Sequence, residues 1–365
     1  MEVPFIDIGA QYKTIKSEID QAIQQVLEGG QVIGGEEVHD FEKKFAEKSQ
    51  VKHCISMANG TDALWIALKA LGIGKGDEVI TTALSWISSA STILQAGATP
   101  VFVDIDISTG LIDTDLIEDK ITNKTKAIIP VHLHGQMVDM IDIRNLCDRH
   151  KLYCIEDSAQ AHFASFRDVM PSQMSDMATF SFYPTKNLGA YGDAGCIVTN
   201  DYKLEKQCRA LTNYGNRGED KQLGINSRMD SIQAAILNVK MKYVEGWIEQ
   251  KRSIADRYDR LLIGVQEITT PSAKTEIGHT YYTYPVRCKN RNKLKEHLIQ
   301  HGVQTTIHYS WILPLLPLFK DLNNKEEDFP VAYRYQNESL CLPIFPELAE
   351  HQQDYVVSCI KDFYN

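Results

Sequence analysis

Apolar residues along this chain keep two periods, and the period changes at recognisable places. Ile15, Ile19, Ile23, Val26 and Leu27 recur at helical spacing, which predicts an amphipathic helix ending before Gly29-Gly30. The glycine-rich stretch 29–35 reads either as a ligand-wrapping loop or as a link to a second helix, where Val38, Phe41 and Phe45 are spaced for burial. From residue 53 to 157 short apolar runs alternate with helical segments. Strands are predicted at 53–57, 78–82, 100–104, 126–133 and 152–157, and helices at 62–71, 86–96, 113–120 and 139–149. Such alternation, with Val- and Ile-rich strands, predicts an α/β fold with a mainly parallel sheet covered by helices on both faces.

Beyond residue 200 the period is helical again. The run 231–262 sets Ile232, Ile236, Val239, Tyr243, Trp247, Ile254, Tyr258 and Leu261 on one face, as a long helix bridging two units does. The remainder reads as a smaller α/β unit with a strand at 282–288, a helix at 291–301, a proline-rich crossing at 314–317 and a terminal helix at 352–362. The expected division is therefore a large domain over 1–245 and a small C-terminal domain over 246–365. A dinucleotide fingerprint is missing, because Gly72, Gly74 and Gly76 follow a helix and precede a strand, the reverse of the order that cradles a pyrophosphate.

Composition narrows the function more than the fold. With 43% hydrophobic and 24% charged residues the chain is of ordinary globular type, and its net charge of −10 argues against a broad nucleic-acid surface. An anionic ligand must then be held by a local pocket. The N-terminus has neither the basic start nor the long apolar run of a secretory signal, and no run reaches membrane-spanning length. Eight cysteines are scattered without a C-x-x-C pair, as expected of reduced core residues in a cytoplasmic protein. The pair His132-x-His134 and the isolated His150 and His162 make no metal pattern, so no metal site is expected.

Candidate chemistry centres on the stretch 177–199. Phe180, Phe182 and Tyr183 suit a strand that Pro184 stops, and Gly189, Gly192 and Gly195 let the backbone bend before Cys196–Thr199 resumes. Lys186 thus lies just past a strand end, where open α/β sheets bind their ligands, although an ordinary solvated lysine fits the local sequence too. Asp157 ends another strand with Gln160 three residues on; an ionised carboxylate there needs a cation, unless it is simply a helix cap. Gly60 and Thr61 open a helix after a strand, the outline of an anion site and equally of ordinary capping, and Ser181 offers a second hydroxyl. Trp86, after a further strand, suits either stacking on a ring or core packing. Together, a lysine, an aspartate, a phosphate cradle and an aromatic plate are what a pyridoxal phosphate site requires.

These residues also carry a resemblance. Asn59-Gly-Thr-Asp-Ala-Leu64, Gly76-Asp-Glu-Val-Ile80, Pro100-Val-Phe-Val-Asp-Ile105, Glu156-Asp-Ser-Ala-Gln-Ala-His162, Ser181-Phe-Tyr-Pro-Thr-Lys186, Asn226-Ser-Arg228 with Gln233-Ala-Ala235, His308-Tyr309 and Leu342-Pro-Ile-Phe-Pro346 span nearly the whole chain. They resemble the nucleotide-sugar aminotransferases of the DegT, DnrJ and StrS type. The resemblance implies a fold-type-I homodimer with shared active sites, in which Lys186 carries pyridoxal phosphate as a Schiff base, Asp157 pairs with the ring nitrogen and Gln160 lies against the ring. It further implies that Gly60, Thr61 and Ser181 take the phosphate with Asn226 of the other subunit, and that Trp86 stacks on the ring. Tyr183, Arg228, His308 and Tyr309 become candidates to contact the nucleotide sugar.

The turn from Lys186 to Gly195 is similar to the version in enzymes that aminate carbon 3 of a 3-keto sugar, rather than the threonine-rich version of carbon-4 enzymes. Three departures stand out: Phe163 where glycine is usual, His134 where another aromatic is usual, and a segment 167–176 without the family's glycines. The activity implied is transfer of an amino group from L-glutamate to a keto group, expected at carbon 3, of a dTDP- or UDP-linked sugar. Amination at carbon 4 is the alternative within that chemistry. A related sugar dehydratase would carry histidine in place of the Schiff-base lysine, and a ligand sensor without catalysis has no appended DNA-binding segment to support it.

Overall fold

A computed structural model describes residues 1–215, 223–272 and 276–365. Its centre is a seven-stranded sheet in the order His53–Met57, Gly195–Thr199, Met177–Ser181, Tyr153–Asp157, Thr125–Ile129, Glu78–Thr82, Thr99–Val103. Gly195–Thr199 alone runs against the other six. The carboxyl ends of six strands therefore line one rim of the sheet, together with the amino end of Gly195–Thr199. Each strand is five residues long and almost wholly buried, which is why the strands read as apolar runs without alternation. The helix Gly60–Ala70 is buried nearly all round, since it packs against the sheet on one side and against the helices Ser88–Ala96 and Tyr202–Leu211 on others.

Three elements differ from the periodicity. Residues 113–120 form two short 3₁₀ turns, Thr114–Leu116 and Glu118–Lys120, instead of an α-helix. Ile117 is their one buried side chain, too little to hold a helix against the sheet, and the Asp113 carboxylate accepts the Asp115 N–H to close the first turn locally. The strand expected over 126–133 stops at Ile129, and Leu133–Gly135 turn as a 3₁₀ segment in which His134 takes a φ of 62°. The run 231–262 is two helices, Ser231–Lys240 and Val244–Leu261. Between them Lys242 and Tyr243 donate to Val239 and Lys240 in i→i−3 bonds, a tight turn that redirects the chain. The second helix begins in a cluster with Trp247 and Ile248 and ends in another with Ile254, Ala255 and Tyr258.

That last cluster builds the C-terminal unit around an antiparallel sheet of Ser339–Leu342, Tyr284–Cys288 and Ile268–Thr269, covered by Arg291–Gln300 and Glu350–Tyr364. Val3 joins it, donating its N–H to the Gly302 carbonyl at 2.9 Å. Residues Tyr309, Leu313, Phe319, Phe329 and Tyr335 pack instead into the core under Ile80, Phe102 and Ile128 of the large sheet. This return brings His308 and Tyr309 to the rim. No helix among the described residues is long and apolar enough to cross a membrane.

Candidate active site

Lys186 lies at the rim, half-buried, in the turn after Met177–Ser181. Its N–H donates to the Tyr183 carbonyl at 2.9 Å, which sets the turn. The Nζ sits 4.3 Å from the centroid of the Tyr282 ring, a cation–π approach that holds the amine over an apolar face. Behind it, fully buried Lys251 donates to Asn187 Oδ1 at 2.9 Å and to the Tyr282 carbonyl at 3.1 Å. Burial lowers the Lys251 ammonium to about 7.

The glycines of this stretch serve close approach rather than bending. Neither Gly60 nor Gly195 has a positive φ, nor do Gly189 and Gly192. A Cβ on Gly195 would stand 2.4 Å from the Asn59 carbonyl carbon, and one on Gly60 would stand 2.7 Å from Ser181 Cβ. The start of the helix Gly60–Ala70 is thereby pressed onto the ends of the two strands that flank Lys186. The Asn59 side chain accepts the Asp62 N–H at 2.8 Å, which leaves the Gly60 and Thr61 N–H groups at the first turn without an intrahelical carbonyl. Thr61 Oγ1 shares a 2.8 Å hydrogen bond with Ser88 Oγ at the start of the next helix. Gly60, Thr61, Ser88 and Ser181 form one small cradle with exposed N–H and O–H groups, suited to a phosphate.

Asp157 forms the floor. It is buried, accepting from Ser89 Oγ at 2.7 Å and from the Ala159 N–H at 3.2 Å. Among the described residues no cation lies at ion-pair distance from it, and burial raises its carboxyl above the ordinary range despite these bonds and the nearby Lys186 charge. Gln160, equally buried, is fixed at both ends: its Oε1 accepts the His134 N–H at 2.8 Å, and its Nε2 donates to the Tyr309 hydroxyl at 2.9 Å. Tyr309 in turn packs near Trp86 with ring centroids 5.8 Å apart, and Trp311 lies 6.3 Å from Trp86, so the three make an aromatic wall. Trp86 precedes its helix, which starts at Ser88 rather than at 86, and is 51% exposed; it is a wall of the crevice and not a core residue.

The remaining expected residues divide. His308 stands at the rim with its ring 6.2 Å from Tyr282 and 4.9 Å from Tyr309, and burial lowers its imidazole to about 4. Tyr183 is 53% exposed, beside Ser181, whose Oγ accepts its N–H at 3.3 Å. Asn226 and Arg228 are exposed, on either side of buried Ser227, which accepts the Ala58 N–H and donates to Asp62. Their exposure sets them apart from the half-buried Lys186 and the buried Asp157 and Gln160. Sequence reasoning missed Ser88, Ser89, Lys251 and Tyr282. The i, i+4 pair Ser85 and Ser89, bonded at 2.8 Å where a helix opens on the rim, was a signal available for the serines. Nothing in the local sequence marks Tyr282 or Lys251.

Of the departures from the family pattern, Phe163 has a φ of 58° and Arg167, Asp168 and Ser172 have φ of 49°, 62° and 72°. All four adopt the left-handed backbone that glycine takes without strain. Packing supports Phe163 there, with its ring 5.5 Å from Phe45.

The site fits pyridoxal phosphate. The cofactor needs an amine, an anion cradle, a carboxylate for a protonated ring nitrogen and a wall for its plane; the buried Asp157 carboxylate lacks the cation that such a nitrogen supplies. Comparison with known proteins points to the same cofactor. Over its whole length the chain is 44% identical to 99% of a "Pleiotropic regulatory protein" of Geobacillus stearothermophilus. Over 99% of its length it is 37% identical to 96% of a "dTDP-3-amino-3,4,6-trideoxy-alpha-D-glucose transaminase" of Streptomyces venezuelae. The crystal structure of S. venezuelae DesV in complex with a ketimine intermediate superposes with a TM-score of 0.96 at 37% identity, covering 99% of this chain and 98% of that one. The model of the DegT/DnrJ/EryC1/StrS aminotransferase family matches residues 13–361, and the chain belongs to that pyridoxal-phosphate-dependent family.

Proposed function

We propose that the protein transfers the amino group of L-glutamate to carbon 3 of a nucleotide-linked 3-keto sugar, releasing 2-oxoglutarate and the 3-amino sugar. The single observation that carries the reading is the convergence of Lys186 and the cation-free buried Asp157 on one rim beside the Gly60–Thr61 cradle. Likeness to a 3-amino-sugar transaminase and the form of the turn after Lys186 favour carbon 3 over carbon 4.

Pyridoxal phosphate, when bound, supplies the electron sink through which an amino group passes between two carbonyl carbons. The chain's residues do the rest. Gly60, Thr61, Ser88 and Ser181 hold the phosphate, Asp157 keeps the ring nitrogen protonated, and Gln160 with the Trp86 wall sets the plane. Lys186 Nζ is the attachment point and, once released, the base that moves a proton at the reacting carbon. Its place over the Tyr282 ring, 4.3 Å from the centroid, fixes where the amine stands on the rim. Tyr183, His308 and Tyr309 line the sugar side, and Asn226 and Arg228 serve the site of a second copy in a homodimer, in keeping with their exposure. The reaction belongs to the cytoplasm, where nucleotide sugars are made.

One experiment tests both halves. Purified protein is incubated with glutamate and, separately, a 3-keto and a 4-keto nucleotide sugar, alongside Lys186→Ala. Product from the 3-keto sugar, with visible cofactor absorbance and turnover both lost in Lys186→Ala, is the expected result. Turnover retained by Lys186→Ala overturns the lysine assignment, and product from the 4-keto sugar alone overturns the regiochemistry.

A further inference from the structure

His134, His308 and Cys341 come from three separate stretches: the turn Leu133–Gly135, the rim loop beside Tyr309, and the strand Ser339–Leu342. One ligand atom from each lies within 4.8 Å of the other two, and no other trio of His, Cys, Asp or Glu among the described residues stands so close. His308 Nδ1 is buried without a hydrogen-bond partner. His134 Nδ1 is 2.7 Å from Thr283 Oγ1, the kind of outer contact that orients a ligating imidazole, and its Nε2 lies 3.4 Å from the Tyr335 hydroxyl. Burial holds the His134 imidazole well below its usual range and His308 at about 4, so both rings stand neutral with a lone pair available. Cys341 is a thiol, pushed by burial to about 12, and no carboxylate joins the group.

Two imidazoles and a sulfur form a soft-to-borderline set that suits zinc(II) and not magnesium or calcium. Tetrahedral bonds of about 2.0–2.3 Å set ligand atoms roughly 3.3–3.8 Å apart, so closing the trio takes side-chain shifts of about an ångström. We propose that His134, His308 and Cys341 bind zinc(II), the thiol proton passing to solvent, and that the bound ion inhibits the enzyme. The inhibition follows from position. His308 is drawn out of the sugar pocket, and Gln160, bonded to both the His134 N–H and the Tyr309 hydroxyl, links the ion to the cofactor plane. This second half rests on the substrate reading given above; the binding of zinc does not.

The test uses cofactor-loaded full-length protein carrying His297→Gln, which removes the competing pair His297 and His301, whose rings lie 4.2 Å apart. Zinc retained against a chromophoric chelator is counted by atomic absorption, and its ligands are read by X-ray absorption. Expected are one zinc per chain with one sulfur neighbour at about 2.3 Å. Because loss of an outer partner alone costs roughly 10–100-fold, Cys341→Ser and His134→Phe should each weaken binding more than tenfold. Cys341→Ser should keep its zinc-free turnover and escape zinc inhibition. No retained zinc, zinc without a sulfur neighbour, or equal retention by both variants overturns the site. Zinc bound through sulfur without inhibition overturns the inhibitory role, and zinc-free protein inactive on the keto sugar overturns the substrate reading and leaves the site intact.

Discussion

Glu156 and Asp157 are consecutive residues of one buried strand, and alternation sends their carboxylates to opposite faces. Glu156 enters a closed cage. Its Oε2 accepts from His132 Nε2 at 2.6 Å, and its Oε1 accepts the Ser172 N–H at 2.6 Å and the Ser175 hydroxyl. His132 Nδ1 accepts the Val138 N–H at 3.1 Å, which assigns the ring proton to Nε2 and makes the imidazole a donor to Glu156. Asp157, by contrast, has among the described residues one hydroxyl and one long N–H bond and no cation, and its carboxyl is pushed up by burial. Two carboxylates with the same burial thus differ in whether the protein itself satisfies them. The satisfied one belongs to the architecture. The unsatisfied one marks where a ligand must complete the structure.

The largest effect that sharpens this contrast is expected for Asp157→Asn. Turnover should fall ~1000-fold, a loss of roughly 4 kcal/mol of transition-state stabilisation. The cofactor-free protein should melt no lower than wild type, because a penalised charge is gone and the Ser89 hydroxyl can turn to accept from the new amide. Thermal unfolding with and without cofactor checks this; a variant whose cofactor-free form melts well below wild type would make Asp157 a second structural carboxylate.

Glu156→Gln should do the opposite. An amide opposite His132, Ser172 and Ser175 leaves at least one donor facing a donor, at a cost of about 2–3 kcal/mol. Denaturant unfolding should show that loss, while the turnover of the folded fraction stays within a few-fold of wild type.

A third test extends the comparison to buried cations. Among the described residues Lys240 and Lys251 donate only to neutral oxygens of Gly189, Asn187 and Tyr282, and burial lowers each to about 7 from an ordinary value of 10.5. Between those values the unfolded chain binds more protons than the folded one, so stability rises with pH across that window and is flat below it. The slope is at most about 1.4 kcal/mol per pH unit for each lysine. Unfolding free energies at pH 7 and 9 should show the rise, and Lys251→Met should reduce it; an unchanged slope in that variant would place its charge in solvent.

Much of this was legible in the chain itself. Five-residue apolar strands separated by helical segments are readable because burial on both faces leaves no polar position, and that pattern specified a mainly parallel sheet. The placement of Lys186 and Asp157 at strand ends and of Gly60 and Thr61 at a helix start was readable from where the apolar runs stop. The 3₁₀ turns at 113–120 and the break at Met241–Tyr243 were not, since a helical period records which residues are apolar and not whether neighbours leave room for a straight helix.

Local sequence thus specified strand ends, helix starts and the residue types placed there, because burial and capping act over a few residues. Contacts across long separations needed the folded chain. The Tyr282 ring under the lysine, the press of Asn59 and Gly60 against Gly195 and Ser181, and the meeting of His134 with His308 and Cys341 join residues brought together only by packing. Even Gly195, legible as a turn residue, owes its place to the Asn59 backbone from a distant part of the chain, which admits no side chain there.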